Sequence, residues 1–180
     1  MKHFFTLTVI AALATASVIT LSAFNSKKSA TATEYQVVCA SKTQVGANYE
    51  WCWMITNPNP GNGNDGTLQN ISHWSVPLSL TAEAALVSAE YSFDGITWYG
   101  VSIEMERDPS IRACTTTDVL KFNAGTVGGD PTYYRATFSS DFTINPYATS
   151  YIKGGANYGT NGSKCNVHMF AGVNSNTTGN

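Results

Sequence analysis

The chain has 180 residues, of which 43% are hydrophobic, 12% aromatic and only 12% charged, with a net charge of −2. A charged share about half the usual quarter, with Gly, Asn, Ser and Thr abundant, is the profile of an extracellular β-protein. The balance excludes the basic footprint that nucleic acid requires, and the length suggests one domain.

At the N-terminus, Lys2 and His3 precede an apolar run over residues 4–24, broken only by small or hydroxylated side chains. Basic head, apolar core and small-residue exit are the parts of a secretory signal. A signal peptide over 1–32 is expected, with cleavage after Ala23 or, on the Ala30-Thr31-Ala32 pattern, after Ala32. The rival is an uncleaved anchor, since the run is about long enough to span a bilayer, although its Ala and Thr content makes it a mediocre span. No cysteine follows the run, which argues against a lipoprotein anchor. The mature chain is therefore expected outside the cell or in the cell envelope, without membrane contact.

All four cysteines, Cys39, Cys52, Cys114 and Cys165, lie in that mature part. In an oxidising compartment they imply two disulfides, with three connectivities open. Zinc is the alternative, but no C-x-x-C pair exists and His73 and His168 stand alone. The ligand spacing is missing, so no metal site and no cofactor is expected.

In chain order, residues 34–41 alternate as a strand and 49–57 as a second. If Val45-Gly46 forms a two-residue loop between them, Cys39 falls opposite Cys52, close enough for a cross-strand bridge. Cys114 and Cys165 would then form the other. Residues 58–66, rich in Pro, Gly and Asn, read as a loop; as a calcium loop they offer only one carboxylate, Asp65. Residues 71–80 form a strand that Pro77 pushes toward an edge or bulge. Thr81 can cap a helical turn over 82–85. Asp94-Gly95 is the strongest hairpin signal, joining strands 87–93 and 96–103. Further short strands are expected at 119–122, 133–139, 150–153 and 167–173, and 174–180 is a polar tail. About eight to ten short strands with regular turn signals predict an all-β antiparallel sandwich, jelly-roll or Ig-like, over 33–173.

Candidate functional residues follow from this frame. His73 beside Trp74 can line a ligand groove, although alternation puts the two on opposite strand faces, one of them in the core. Glu104 and Glu106 share a strand face, the raw material of glycoside hydrolysis, or else a solvated rim. No nucleophile elbow, zinc helix or phosphate loop appears. The aromatic supply is the better lead. Exposed flat rings on a sandwich stack on sugars or meet protein partners, and Trp74, Trp98, Tyr99 and neighbouring His73 are the candidates. Trp51 and Trp53 share one face and belong in the core.

The span W-x-W-x-x-T-N-P at 51–58, the Gly/Asn loop and S-H-W at 72–74 resemble a group of secreted bacterial proteins and surface-protein modules for which no activity is established. That group pairs a W-x-Y/W strand with an S-H-W strand, then a Y-Y strand and a K-x-G segment. Tyr133-Tyr134 and Lys153-Gly154-Gly155 stand at comparable places. Many of its members carry a cysteine soon after S-H-W; here Ser75-Val76-Pro77 follows instead, so no disulfide pattern carries over. Locally, Y-S-F-D-G-I-T-W at 91–98 is similar to a hairpin of discoidin-type, galactose-binding-like sandwiches, which bind ligands through other loops. It is also similar to the sialidase Asp-box, which has one more residue between Asp and Gly.

The expectation is a secreted or cell-surface sandwich with a non-catalytic binding or structural role, and a glycan or a cell-surface protein as partner. The alternatives are a carbohydrate-binding domain that uses exposed aromatics, and a glycan-active hydrolase that uses Glu104 or Glu106. Oligomeric state stays open.

Overall fold

Alternating aromatic and aliphatic residues in several short segments dictate two sheets with a shared dry interior. The computed structural model describes residues 34–64, 66–155 and 165–174. Among them are nine strands: β1 (Gln36–Val45), β2 (Asn48–Thr56), β3 (Ile71–Val76), β4 (Leu86–Ser92), β5 (Tyr99–Gly100), β6 (Leu120–Phe122), β7 (Thr132–Phe138), β8 (Ile144–Gly154) and β9 (Cys165–Val173). One sheet has the order β1-β2-β7-β4-β5 and the other β6-β3-β8-β9. Every neighbouring pair is antiparallel. The expected all-β sandwich is what the chain forms. The predicted signal peptide and all but the first residue of the polar tail lie outside the described residues.

Period-two alternation places Trp51, Trp53 and Ile55 of β2 and Thr132, Tyr134, Ala136 and Phe138 of β7 on the inner face. Trp74 of β3 meets them from the other sheet, with ring centroids 5.6 Å from Trp53, 5.0 Å from Tyr134, 5.3 Å from Phe122 and 5.5 Å from Phe170. Edge-to-face and offset packing of this kind adds to what burial of the rings already contributes. Of the polar atoms on these rings, Trp51 Nε1 and Trp74 Nε1 are buried without a hydrogen-bond partner, while two others are paired. Trp53 Nε1 donates to the Ala171 carbonyl of β9 at 2.9 Å, and the Tyr134 hydroxyl donates to the Ala124 carbonyl at 2.7 Å.

Local chemistry shifts several boundaries from the sequence expectation. Val45 opposes Asn48, so the first hairpin turns on Gly46-Ala47, where Gly46 takes φ 63° without a Cβ penalty. A bulge at Ala40 then leaves Cys39 opposite Trp53 and Ser41 opposite Cys52. Cys39 therefore packs against the core with Trp53, while Cys52, opposite Arg135, is on the outer face. The expected Cys39–Cys52 bridge is corrected: both are free thiols, pointing to opposite sides of the sheet.

The helix runs Leu80–Ala85 and is capped by Ser79, whose Oγ accepts from Ala82 N at 3.2 Å, rather than by Thr81. The Asp94-Gly95 two-residue hairpin is also corrected. The strands part after Tyr91 and Tyr99 pair, and the intervening loop is wider. Asp94 organises that loop, with Oδ1 accepting from Ile96 N (2.8 Å), Thr97 N (2.7 Å) and Ser92 Oγ (2.8 Å). These bonds hold its carboxyl well below the usual carboxylate range.

Candidate functional site

The two outer faces of the sandwich carry the polar chemistry, and each is built differently. On the four-stranded sheet, alternation turns His73 and Ser75 of β3, Lys121 of β6, and Tyr151 and Lys153 of β8 outward. A non-local segment, residues 106–118, then folds over them. It is tied by a Glu106–Val119 bridge, by a short 3-10 helix Pro109–Ile111 capped by Asp108, and by the Cys114–Cys165 disulfide to β9. Ile111 and Val119 pack with Tyr151 into a small second core.

This cover buries a polar cluster. His73 Nε2 lies 2.7 Å from Asp108 Oδ2 and 3.0 Å from Ser110 Oγ. Ser110 N donates to Asp108 Oδ1 at 2.8 Å, and Lys121 Nζ sits 3.1 Å from Glu106 Oε1 and 3.5 Å from Asp108 Oδ2. Burial pushes the His73 pKa down to about 4, against the upward pull of Asp108 and helped by Lys121 and Lys153. Burial alone would raise Asp108, but the Ser110 bonds and the His73 and Lys121 charges hold it below the usual carboxylate range.

Ser, His and Asp together invite comparison with a nucleophilic triad. In a triad the imidazole relays a proton between two partners, one at each nitrogen. Here Ser110 and Asp108 both approach Nε2, so no relay runs through the ring, and His73 and Asp108 are 4% and 2% exposed. What the arrangement does chemically is pair His73, Asp108 and Ser110 with one another on a covered sheet face, where Ser75 Oγ is buried without a hydrogen-bond partner.

The five-stranded sheet is different. Among the described residues only the loop that carries Gly95 and Trp98 is seen to lie against its outer face. At its centre Arg135 of β7 stands between Glu50 of β2 and Glu90 of β4. Its Nη1 lies 3.2 Å from Glu50 Oε2, and Nη2 lies 2.7 Å and Nε 2.9 Å from Glu90 Oε2. The Trp98 ring lies over the guanidinium at 4.0 Å. All three charged side chains are 21–28% exposed.

The sequence-predicted binding residues therefore scatter. Trp74 is fully buried at the centre of the core, a correction that removes it as a platform. His73 is buried too, because the 106–118 segment covers the face that alternation gave it. Trp98 stands on the outer face with Arg135. Tyr99 points the other way, stacked on Tyr91 at 5.3 Å, which in turn meets Phe93 at 5.3 Å. Glu104 and Glu106 do not share a strand: residues 101–105 are irregular, Glu104 is exposed, and Glu106 pairs with Lys121.

In the Asn/Gly loop, Asn57 donates to the Leu68 and Gln69 carbonyls, Asn59 to Gly66 O, and Asn62 Oδ1 accepts from Asn64 N. Its amides close the loop on itself; Asp65 lies outside the described residues. A cleft of about 350 Å³ runs beside it, lined by Asn62, Gln69, Asn70 and Ser72 among others. Among the described residues no group of three or more His, Cys, Asp or Glu side chains is placed to hold a metal ion. No helix among them is long and apolar enough to cross a membrane.

Sequence reasoning missed Asp108, Ser110, Lys121 and Arg135. Asp108-Pro109 is a helix-start signal, and alternation in Y-Y-R-A-T-F puts Arg135 outward, so two of the four had local markers. Comparison of the chain with protein-family models, with curated proteins and with solved structures finds no match in any of the three.

Proposed function

We propose that this chain is a non-catalytic β-sandwich module that acts outside the cytoplasm, in a binding or structural role. The observation that carries the reading is the Cys114–Cys165 bridge, which fastens the 106–118 segment over His73, Asp108 and Ser110. A structural disulfide of this kind persists in oxidising compartments. The same bridge helps close off the cluster that most resembles catalytic machinery. The resemblance of residues 51–74 to secreted bacterial sandwich modules, and the signal-like N-terminus, support the same location. A glycan hydrolase draws less support, since Glu106 is engaged by Lys121 and Glu104 sits in an irregular exposed segment.

The test is expression of the full chain in a bacterial host, followed by fractionation and alkylation with and without reductant. Export together with a linked Cys114–Cys165 peptide in the mass spectrum supports the reading. A chain retained in the cytoplasm with four alkylatable thiols sinks it. Turnover of polysaccharide or ester substrates that disappears in a His73→Ala or Glu106→Gln variant would remove the non-catalytic half.

A further inference from the structure

We infer that the outer face of the five-stranded sheet around Trp98 and Arg135 binds a neutral saccharide. The inference rests on the reading of the chain as a non-catalytic module and names the ligand class for its open face.

Electrostatics narrows the ligand first. Two carboxylates, Glu50 and Glu90, bracket one guanidinium, that of Arg135. An anion arriving there meets two negative charges and finds the arginine already committed. A cation meets a fixed guanidinium at the centre of this acidic pair. A neutral ligand suffers neither penalty.

Chemistry narrows it further. Both carboxylates engage Arg135 through Oε2, which leaves Oε1 of each to accept from hydroxyl donors. Between them lies a flat, fixed ring: Trp98 is pinned over the guanidinium at 4.0 Å, so little conformational freedom is left to lose on binding. Tyr133 adds a second ring on the same face, held close to Gly95 (3.5 Å to the position a Cβ would take). A sugar ring offers both complements, an apolar C–H face for the indole and vicinal hydroxyls for the carboxylates. A protein partner would want an apolar centre, whereas the centre of this face is the charged row Glu50, Arg135 and Glu90.

Trp98 is also a built-in reporter. Trp51, Trp53 and Trp74 are 0–2% exposed, so a ligand-induced change in indole fluorescence arises from Trp98. The experiment titrates the oxidised full chain with neutral polysaccharides (a β-glucan, a mannan and a galactan), with polygalacturonate, and with calcium alone. It is read by fluorescence and by retardation in affinity gels.

The expected result is retardation by at least one neutral polymer with a fluorescence change. Affinity falls about tenfold or more in Trp98→Ala, the scale of losing one stacked ring. It falls several-fold in Glu90→Gln, is largely retained without the fluorescence change in Trp98→Phe, and is unaffected in Tyr147→Ala. A melting curve accompanies each variant, and Trp98→Phe keeps the ring should Trp98→Ala unfold. The inference is overturned if no neutral polymer is retarded, if the acidic polymer or calcium binds in preference, or if retardation survives both Trp98→Ala and Glu90→Gln. A blank on all polymers leaves the extracellular reading standing, because export and the Cys114–Cys165 linkage are measured separately.

Discussion

Each outer face of the sandwich carries a short row of charged residues across its central strands, yet the two rows face opposite environments. On the four-stranded sheet, His73 is shut beneath the 106–118 segment with Asp108 and Ser110, while Lys121 at the margin of the cover keeps 22% of its side chain exposed. On the five-stranded sheet, Glu50, Arg135 and Glu90 stay in partial contact with water. Covering a sheet face removes its polar groups from water, and each must then find a partner within the protein. The cover therefore brings its own acceptors, Asp108 and Glu106, and is fastened by a covalent bond. The bare face needs no such provision, and its charges are correspondingly cheap to alter.

The largest predicted effect is on the fastening. Replacing Cys114 and Cys165 together by Ala opens a loop of 51 residues, worth about 4 kcal/mol in the chain-entropy account. A urea melt of the reduced or double-variant protein should show the loss, and an unchanged midpoint would mean that the cover holds by packing alone.

Acid comes next. The unfolded chain protonates His73 near 6.5 and the folded chain only near 4. Between those values the unfolded state binds the extra proton. The contribution, about 3 kcal/mol, is thus fully present above about pH 6.5 and lost as pH falls toward 4. Asp108, depressed in the fold, adds loss in the same direction at lower pH. His73→Gln should flatten the stability profile between 6.5 and 4; a slope that survives the substitution belongs to other groups.

The matched pair of single substitutions is the sharpest contrast. Asp108→Ala takes the acceptor from the Ser110 amide and the carboxylate partner from His73 beneath the cover, and a loss of about 2–3 kcal/mol is expected. Arg135→Ala on the bare face should cost about 1 kcal/mol, since half-wet ion pairs and an exposed cation–π contact are each worth that or less. Added salt should narrow the second loss and not the first. Equal losses in the two variants would erase the distinction between the faces.

Much of the frame was legible in the sequence because period-two alternation is a local signal. Strands 2, 3, 7 and 9 and the core placement of Trp51 and Trp53 all follow from it, whereas the Cys114–Cys165 pairing is expected only as the remainder of a Cys39–Cys52 bridge that does not form. What failed depended on distant parts of the chain or on extra residues that leave no mark. Alternation put one of His73 and Trp74 in the core and the other in a groove; Trp74 is the core residue, and His73 is buried too because residues 106–118 return over β3, which nothing near position 73 announces. The bulge at Ala40 turned Cys39 inward and separated it from Cys52, and an alanine in a strand gives no sign of a bulge. Asp94-Gly95 looked like a tight hairpin, but the Asp94 carboxylate binds more loop donors than a two-residue turn contains.

The place of β7 between β2 and β4 has a consequence for how the chain is made. Residues 132–138 supply the central strand of the five-stranded sheet, so during synthesis β2 and β4 emerge long before the strand that joins them. Until it arrives, β2 keeps one edge and a row of tryptophans exposed to whatever is nearby. Folding that waits for such distant pairing is slow, on the order of milliseconds to seconds for comparable β topologies.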